Sequence, residues 1–144
     1  MNNFLSNYPL TRPRRLRKTD WLRTLVCESR LRVSDLILPI FVSERKKSQE
    51  IKEMPGIKRY TIDEALEVVN KAKELGIKAV ALFPEVPEKK KNNTGIEALN
   101  HDNLICRSVR KIKAQIPNIG IICDVALDPY TNSGHDGVVI NKEV

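Results

Sequence analysis

The sequence has little of what builds several common classes of protein. Its longest apolar runs, Leu36 to Val42 and Ala79 to Phe83, fall far short of the ~20 residues that span a bilayer as a helix, which excludes a transmembrane helix. The first residues, MNNFLSNYPLTRPRRLRK, hold no apolar core of a secretory signal and no lipidation pattern, so the expected compartment is the cytosol. Only three cysteines occur, Cys27, Cys106 and Cys123. An odd number without short-range pairing gives neither a disulfide framework nor a CxxC metal knuckle, and they read as reduced thiols. Aromatic residues make up 5%, and no helix-turn-helix, finger or RNP pattern accompanies the basic residues, which argues against nucleic acid as the partner. No GxGxxG or GxxxxGK[ST] follows an apolar run, so neither a dinucleotide fold nor a P-loop is signalled.

What is present is an ordinary globular composition with an uneven charge. The 144 residues carry 25 Lys and Arg against 18 Asp and Glu, a formal net charge of +7, and 41% are hydrophobic. That is too much apolar content for a disordered chain. Residues 1–35 hold eight Lys and Arg against three acids, so +5 of the excess lies in this segment. Pro9 and Pro13 keep its start extended. We divide the chain into a basic N-terminal arm, 1–35, and a domain, 36–144. A basic arm on a nearly neutral body suits an anionic ligand or an acidic groove on a partner subunit.

After Asp35 the pattern is regular. Leu36–Val42, Ala79–Pro84 and Ile119–Val125 are continuous apolar runs rich in β-branched residues, as in strands buried on both faces. Pro39 is tolerated near a strand start or at a bulge. Between the first two runs, Glu44 to Lys47 reads as a charged loop and Met54-Pro-Gly56 as a turn. Thr61-Ile-Asp-Glu64 fits a capping box, and Ile62, Ala65, Leu66, Val69 and Ala72 share one helical face closed by Gly76. A second helix, capped within Asn100 to Asp102, carries Leu104, Ile105, Val109, Ile112 and Ile116 and ends at Pro117. Alternating strands and helices predict an α/β fold with a parallel sheet. At about 40 residues per unit, the chain accommodates the first three or so βα units of a TIM barrel, which needs eight.

Reactive groups of such barrels stand at the C-terminal ends of the strands. Here the third strand runs into Cys123-Asp-Val-Ala-Leu-Asp-Pro-Tyr-Thr-Asn-Ser-Gly-His-Asp-Gly137, which holds Asp124, Asp128, His135 and Asp136. Such carboxylates could bind a hard divalent cation, or act as base and electrostatic partner toward a cationic substrate. The same composition also serves a plain Asx-rich turn, and composition does not separate the two. Lys89, Lys90 and Lys91 lie in a polar run and read as solvated charges.

Four blocks, in order along the chain, resemble the delta-aminolevulinic acid dehydratase (porphobilinogen synthase) family: Arg12-Pro-Arg-Arg-Leu-Arg-Lys18, Asp35-Leu-Ile-Leu-Pro-Ile-Phe-Val42, Met54-Pro-Gly-Ile57, and Asp124-Val-Ala-Leu-Asp-Pro-Tyr-Thr131 with Gly134-His-Asp-Gly137. The resemblance implies a TIM barrel whose N-terminal arm embraces a neighbouring subunit, commonly in octamers. It implies condensation of two 5-aminolevulinate molecules to porphobilinogen with loss of two waters, on the route to haem. Asp124 matches the family's active-site aspartate. Tyr130 and Thr131 match the signature as well. Ala126, Asp128 and Asp136 stand where zinc-using members have three cysteines. A methyl and two carboxylates disfavour Zn²⁺ and suit Mg²⁺, with Asp128 and Asp136 as the candidate ligands.

The resemblance also places two Schiff-base lysines on later strands, beyond Val144, and none of the lysines here matches them. The chain is therefore expected to be the N-terminal part of such an enzyme and inactive alone. An alternative is a non-catalytic remnant that docks through its basic arm.

Overall fold

The computed structural model describes Pro9, residues 11–140 and Glu143; the rest of the arm's first ten residues lie outside these. The described residues form two compact units, one ending at Arg32 and the other beginning at Val33. The first contains a 3₁₀ turn, Arg15–Arg17, and helix α1, Asp20–Leu25, neither with a buried residue. Arg23 pairs with Asp20 at 2.9 Å and donates to the Arg17 carbonyl at 3.1 Å. Leu16, Trp21 and Leu25 are exposed.

The second unit is a five-stranded sheet with helices on one side. Its strands are β1 (Ile37–Ser43), β2 (Gln49–Glu50), β3 (Lys58–Tyr60), β4 (Ala79–Glu85) and β5 (Gly120–Cys123), in the order β2-β3-β1-β4-β5. β1, β4 and β5 are parallel, with Leu38, Val80 and Ile121 in one row and Ile40, Leu82 and Cys123 in another. The antiparallel pair β2–β3 was not visible in the sequence. β3 lies parallel to β1 but meets only Phe41 and Val42. Pro39 is in register with Ala81 of β4, and no described strand lies on its other side.

Helix α2 (Ile62–Glu74) follows β3, and helix α3 (Leu104–Gln115) follows β4. The capping box forms as expected: the Glu64 N–H donates to Thr61 Oγ1 at 3.2 Å, and the Thr61 N–H donates to Glu64 Oε2 at 3.1 Å. At the other end the Gly76 and Ile77 N–H groups bond the carbonyls of Lys73 and Ala72, both at 3.0 Å, the paired bonds of a Schellman motif. The cap of α3 lies one residue later than expected. Asn103 accepts from the Cys106 N–H at 2.9 Å, while Asn100 accepts from the Asp102 N–H in a preceding turn.

The core is a single layer between the helices and one sheet face. Ile40, Val42, Val80 and Leu82 from the sheet meet Ala65 and Val69 of α2 and Leu104 and Ile112 of α3. The continuous apolar strands suggested burial on both faces, yet the second face, with Ile37, Phe41, Phe83 and Ile122, has no helix against it among the described residues. Ile37 and Ile122 remain about half exposed, at 53% and 46%. Phe41 and Phe83, register partners, meet as a tilted pair with ring centroids 5.6 Å apart. In a closed barrel this face is the interior, filled by side chains from all the strands. The chain thus contains two complete βα units, then the strand and loop that open a third.

Candidate active site

Loops at the C-terminal ends of β1, β4 and β5 gather at one end of the sheet. Asp124 is the residue immediately after β5, two beyond Ile122 of the open face, and its side chain is exposed. The chain then turns through a short 3₁₀ segment, Asp128–Tyr130, that buries Tyr130. Asp128 is exposed, and its carboxyl is held above the ordinary carboxylate range by partial desolvation and by the charges of Asp136 and Asp124. The structure therefore brings together the three aspartates that the sequence singled out.

Their roles differ. Asp136 Oδ1 accepts the main-chain N–H groups of Leu127 at 3.0 Å and Asp128 at 3.2 Å. His135, by contrast, uses its main chain: its carbonyl accepts from the Thr131 hydroxyl at 3.0 Å. Thr131 is 1% exposed, and this is the shortest of the bonds that satisfy its buried hydroxyl, the others being at 3.5 Å to the Asp128 carbonyl and from the Ser133 hydroxyl. Among the described residues no group of three or more His, Cys, Asp and Glu side chains converges to hold a metal ion. With Asp136 Oδ1 engaged by two N–H donors and no third ligand among the described residues converging on the loop, the loop as folded offers a cation fewer ligands than its composition suggested.

Nothing in the residue pattern hinted at what supports this loop. Asn92, in the connection after β4, forms a parallel bridge with Thr131. Its side-chain Oδ1 also accepts from the Thr94 N–H at 3.0 Å, the Thr94 hydroxyl at 3.1 Å and the Ile96 N–H at 3.2 Å. Gly95, at φ 64°, lets the two loops touch: a Cβ there would stand 3.3 Å from Leu127 Cδ2 and 3.4 Å from Thr131 Cγ2.

Beneath them Glu44, just after β1, pairs with Lys90 at 2.8 Å and with Arg107 of α3, while Lys90 also reaches Glu97 at 3.3 Å. Burial pushes the Glu44 carboxyl up, but the two cations outweigh it and hold it below the ordinary range. Lys90 is thus a structural partner and not a solvated charge. A cleft of about 750 Å³ opens beside these loops, lined among others by Phe41, Arg45, Arg59, Glu85, Lys89 and Pro129. Arg45 grips Glu85 with two bonds of 2.7 and 2.8 Å, and this lowers the Glu85 carboxyl despite partial burial.

The chain has extensive relatives. The family model for delta-aminolevulinic acid dehydratase matches residues 10–144. The delta-aminolevulinic acid dehydratase of Bradyrhizobium diazoefficiens is 44% identical over 134 residues, which are 92% of this chain and 38% of that protein. A chloroplastic delta-aminolevulinic acid dehydratase of Selaginella martensii is 42% identical over 130 residues, 90% of this chain and 31% of that protein. Among solved structures, the Toxoplasma gondii delta-aminolevulinic acid dehydratase in complex with the reaction product porphobilinogen superposes with a TM-score of 0.87 at 41% identity, covering 92% of this chain and 38% of that one. The chain therefore spans well under half the length of these relatives, matching the first part of their barrel. By both sequence and fold, the chain belongs to the delta-aminolevulinic acid dehydratase family.

Proposed function

We propose that this chain supplies the arm, the first βα units and the aspartate loop of a porphobilinogen synthase, which condenses two 5-aminolevulinate molecules with loss of two waters in the cytosol. The observation that carries the reading is the loop of Asp124, Asp128 and Asp136 at the C-terminal end of β5, in a fold matching that of a product-bound relative. Asp124 is the catalytic candidate. A carboxylate at the mouth of the barrel can take a proton from the substrate or hold its ammonium group, two roles open to an exposed aspartate. Zn²⁺ is disfavoured at this loop because no thiolate stands at Ala126, Asp128 or Asp136; Mg²⁺ is the ion we assign to the whole enzyme, at a site outside this loop.

The arm is read as a subunit-docking segment of an octamer-type homo-oligomer. Support comes from its charge and from the exposed Leu16, Trp21 and Leu25, which a chain of this size does not bury by itself.

The chain alone is inactive in this reading. Imine formation with the substrate ketone needs a desolvated lysine of lowered pKa. Lys90, the lysine most engaged near the loop, has its ammonium pushed up by its bond to Glu44, the opposite of activation. The test is borohydride reduction in the presence of 5-aminolevulinate followed by intact-mass measurement. An unchanged mass is expected, and a stable single adduct would overturn the claim of inactivity.

A further inference from the structure

The misfit between the aspartate loop and a metal ion has a positive counterpart. Converging ligands from one loop do two things when they bind an ion: they hold the ion, and the ion in turn holds the loop. The second task is already performed here by protein groups. The Asp136 carboxylate reaches back to the consecutive N–H groups of Leu127 and Asp128, and such charge-assisted bonds are stronger than neutral ones. The Thr131 hydroxyl adds a second strap to the His135 carbonyl, inside the first. Gly134, at φ 70°, turns the chain back within the inner strap. On its far side the loop is fixed through Asn92, whose main chain bonds the Tyr130 carbonyl and the Asn132 N–H.

We propose that Asp136 is a positioning residue that braces the loop through the main-chain N–H groups of Leu127 and Asp128, in place of a metal ion, and leaves Asp124 and Asp128 as the carboxylates that face a substrate. The functional half of this inference rests on reading the loop as part of an active site; the brace itself does not. A carboxylate at position 136 then has a reason to accompany the absence of cysteines from the loop. One aspartate ties the two ends of the turn together through main-chain N–H groups.

Amide hydrogen exchange on the 144-residue chain, read residue by residue by NMR, tests this. Leu127 and Asp128 amides should be protected in the presence of EDTA, and millimolar Mg²⁺ should leave that protection unchanged. Asp136→Asn, which keeps a side-chain oxygen as acceptor, should retain part of it. Asp136→Ala should lose roughly ten- to a hundred-fold, with the amides of α2 unaffected. Protection that appears only on adding Mg²⁺, or that survives Asp136→Ala, would overturn the proposal. Should Asp136→Ala not fold, the EDTA and Mg²⁺ comparison on the unaltered chain, with Asp136→Asn, still decides. No turnover is read, so failure of the brace and failure of the active-site reading are separate outcomes.

Discussion

The main chain of Asn92 brackets Thr131: its N–H donates to the Tyr130 carbonyl at 3.2 Å, and its carbonyl accepts from the Asn132 N–H at 3.0 Å. Two loops that follow different strands are joined here as a short piece of parallel sheet, and the aspartate loop takes its position from the connection after β4. The Asn92 side chain meanwhile organises its own loop through three donors.

Asn92 should therefore tolerate aspartate better than alanine. Asn92→Asp keeps an oxygen for the three donors, whereas Asn92→Ala leaves them to find water or strain the loop. A loss of about 1–3 kcal/mol is expected for the alanine variant, measured as a shift in the urea midpoint. Equal midpoints for the two variants would contradict this role.

Gly95 should resist any side chain. Its left-handed backbone and the 3.3 Å approach to Leu127 act together, so Gly95→Ala should cost about 1–3 kcal/mol. Heteronuclear NMR should show the disturbance spreading to residues 127–131, on the other loop. A change confined to residues 92–98 would argue against the contact.

Acid should loosen this end of the sheet first. Glu44 and Glu85 have carboxyls held below the ordinary range by their cationic partners. Their contribution to stability is fully present above the unfolded carboxylate pKa of about 4.3 and is lost as pH falls through the lowered folded values. Glu44→Gln should lower the melting temperature at pH 7 and flatten its fall below about pH 4. Asp128 has the opposite sign. Its raised carboxyl means that ionisation opposes folding, so Asp128→Asn should raise the melting temperature at pH 7, and the gain should shrink as pH falls through the carboxylate range. A lower melting temperature for Asp128→Asn at neutral pH would contradict a carboxyl raised by partial desolvation and neighbouring like charges.

The open face and the outer edge of β5 predict association. Ile37, Ile122 and Val125 are exposed, and among the described residues β5 pairs with β4 only. Exposed apolar strands of this kind are templates for further pairing. Ile122→Lys should reduce light scattering of the isolated chain while leaving its helical circular dichroism unchanged. Undiminished association would place the sticky surface elsewhere.

Much of the fold was legible because burial leaves a periodic trace. Val80 and Leu82, Ala65 and Val69, and the Thr61 cap all follow from apolar spacing and one polar signature. The hairpin of Gln49–Glu50 and Lys58–Tyr60 left no such trace, since its strands are short and mostly polar, with Tyr60 alone packing against the core, and only β3 pairs with β1. The three aspartates were legible as a group from their place after a buried strand. Their division of labour was not, because a residue type says that Asp136 can accept hydrogen bonds or bind cations without saying which partner the folded chain brings to it. Asn92 lay beyond reach for a related reason: the residue it bridges, Thr131, is distant along the chain and is met through main-chain atoms.

The central claim, that this chain carries the first part of a porphobilinogen synthase active site, is tested most directly by a chimaera. Residues 10–144 would replace the matching segment of the Bradyrhizobium diazoefficiens relative, and porphobilinogen formation would be measured alongside the same protein bearing Asp124→Asn. The account predicts a working enzyme that loses about 10²- to 10⁴-fold in turnover with the substitution. A chimaera that assembles like its parent yet forms no porphobilinogen, or one whose rate is indifferent to Asp124→Asn, would contradict it.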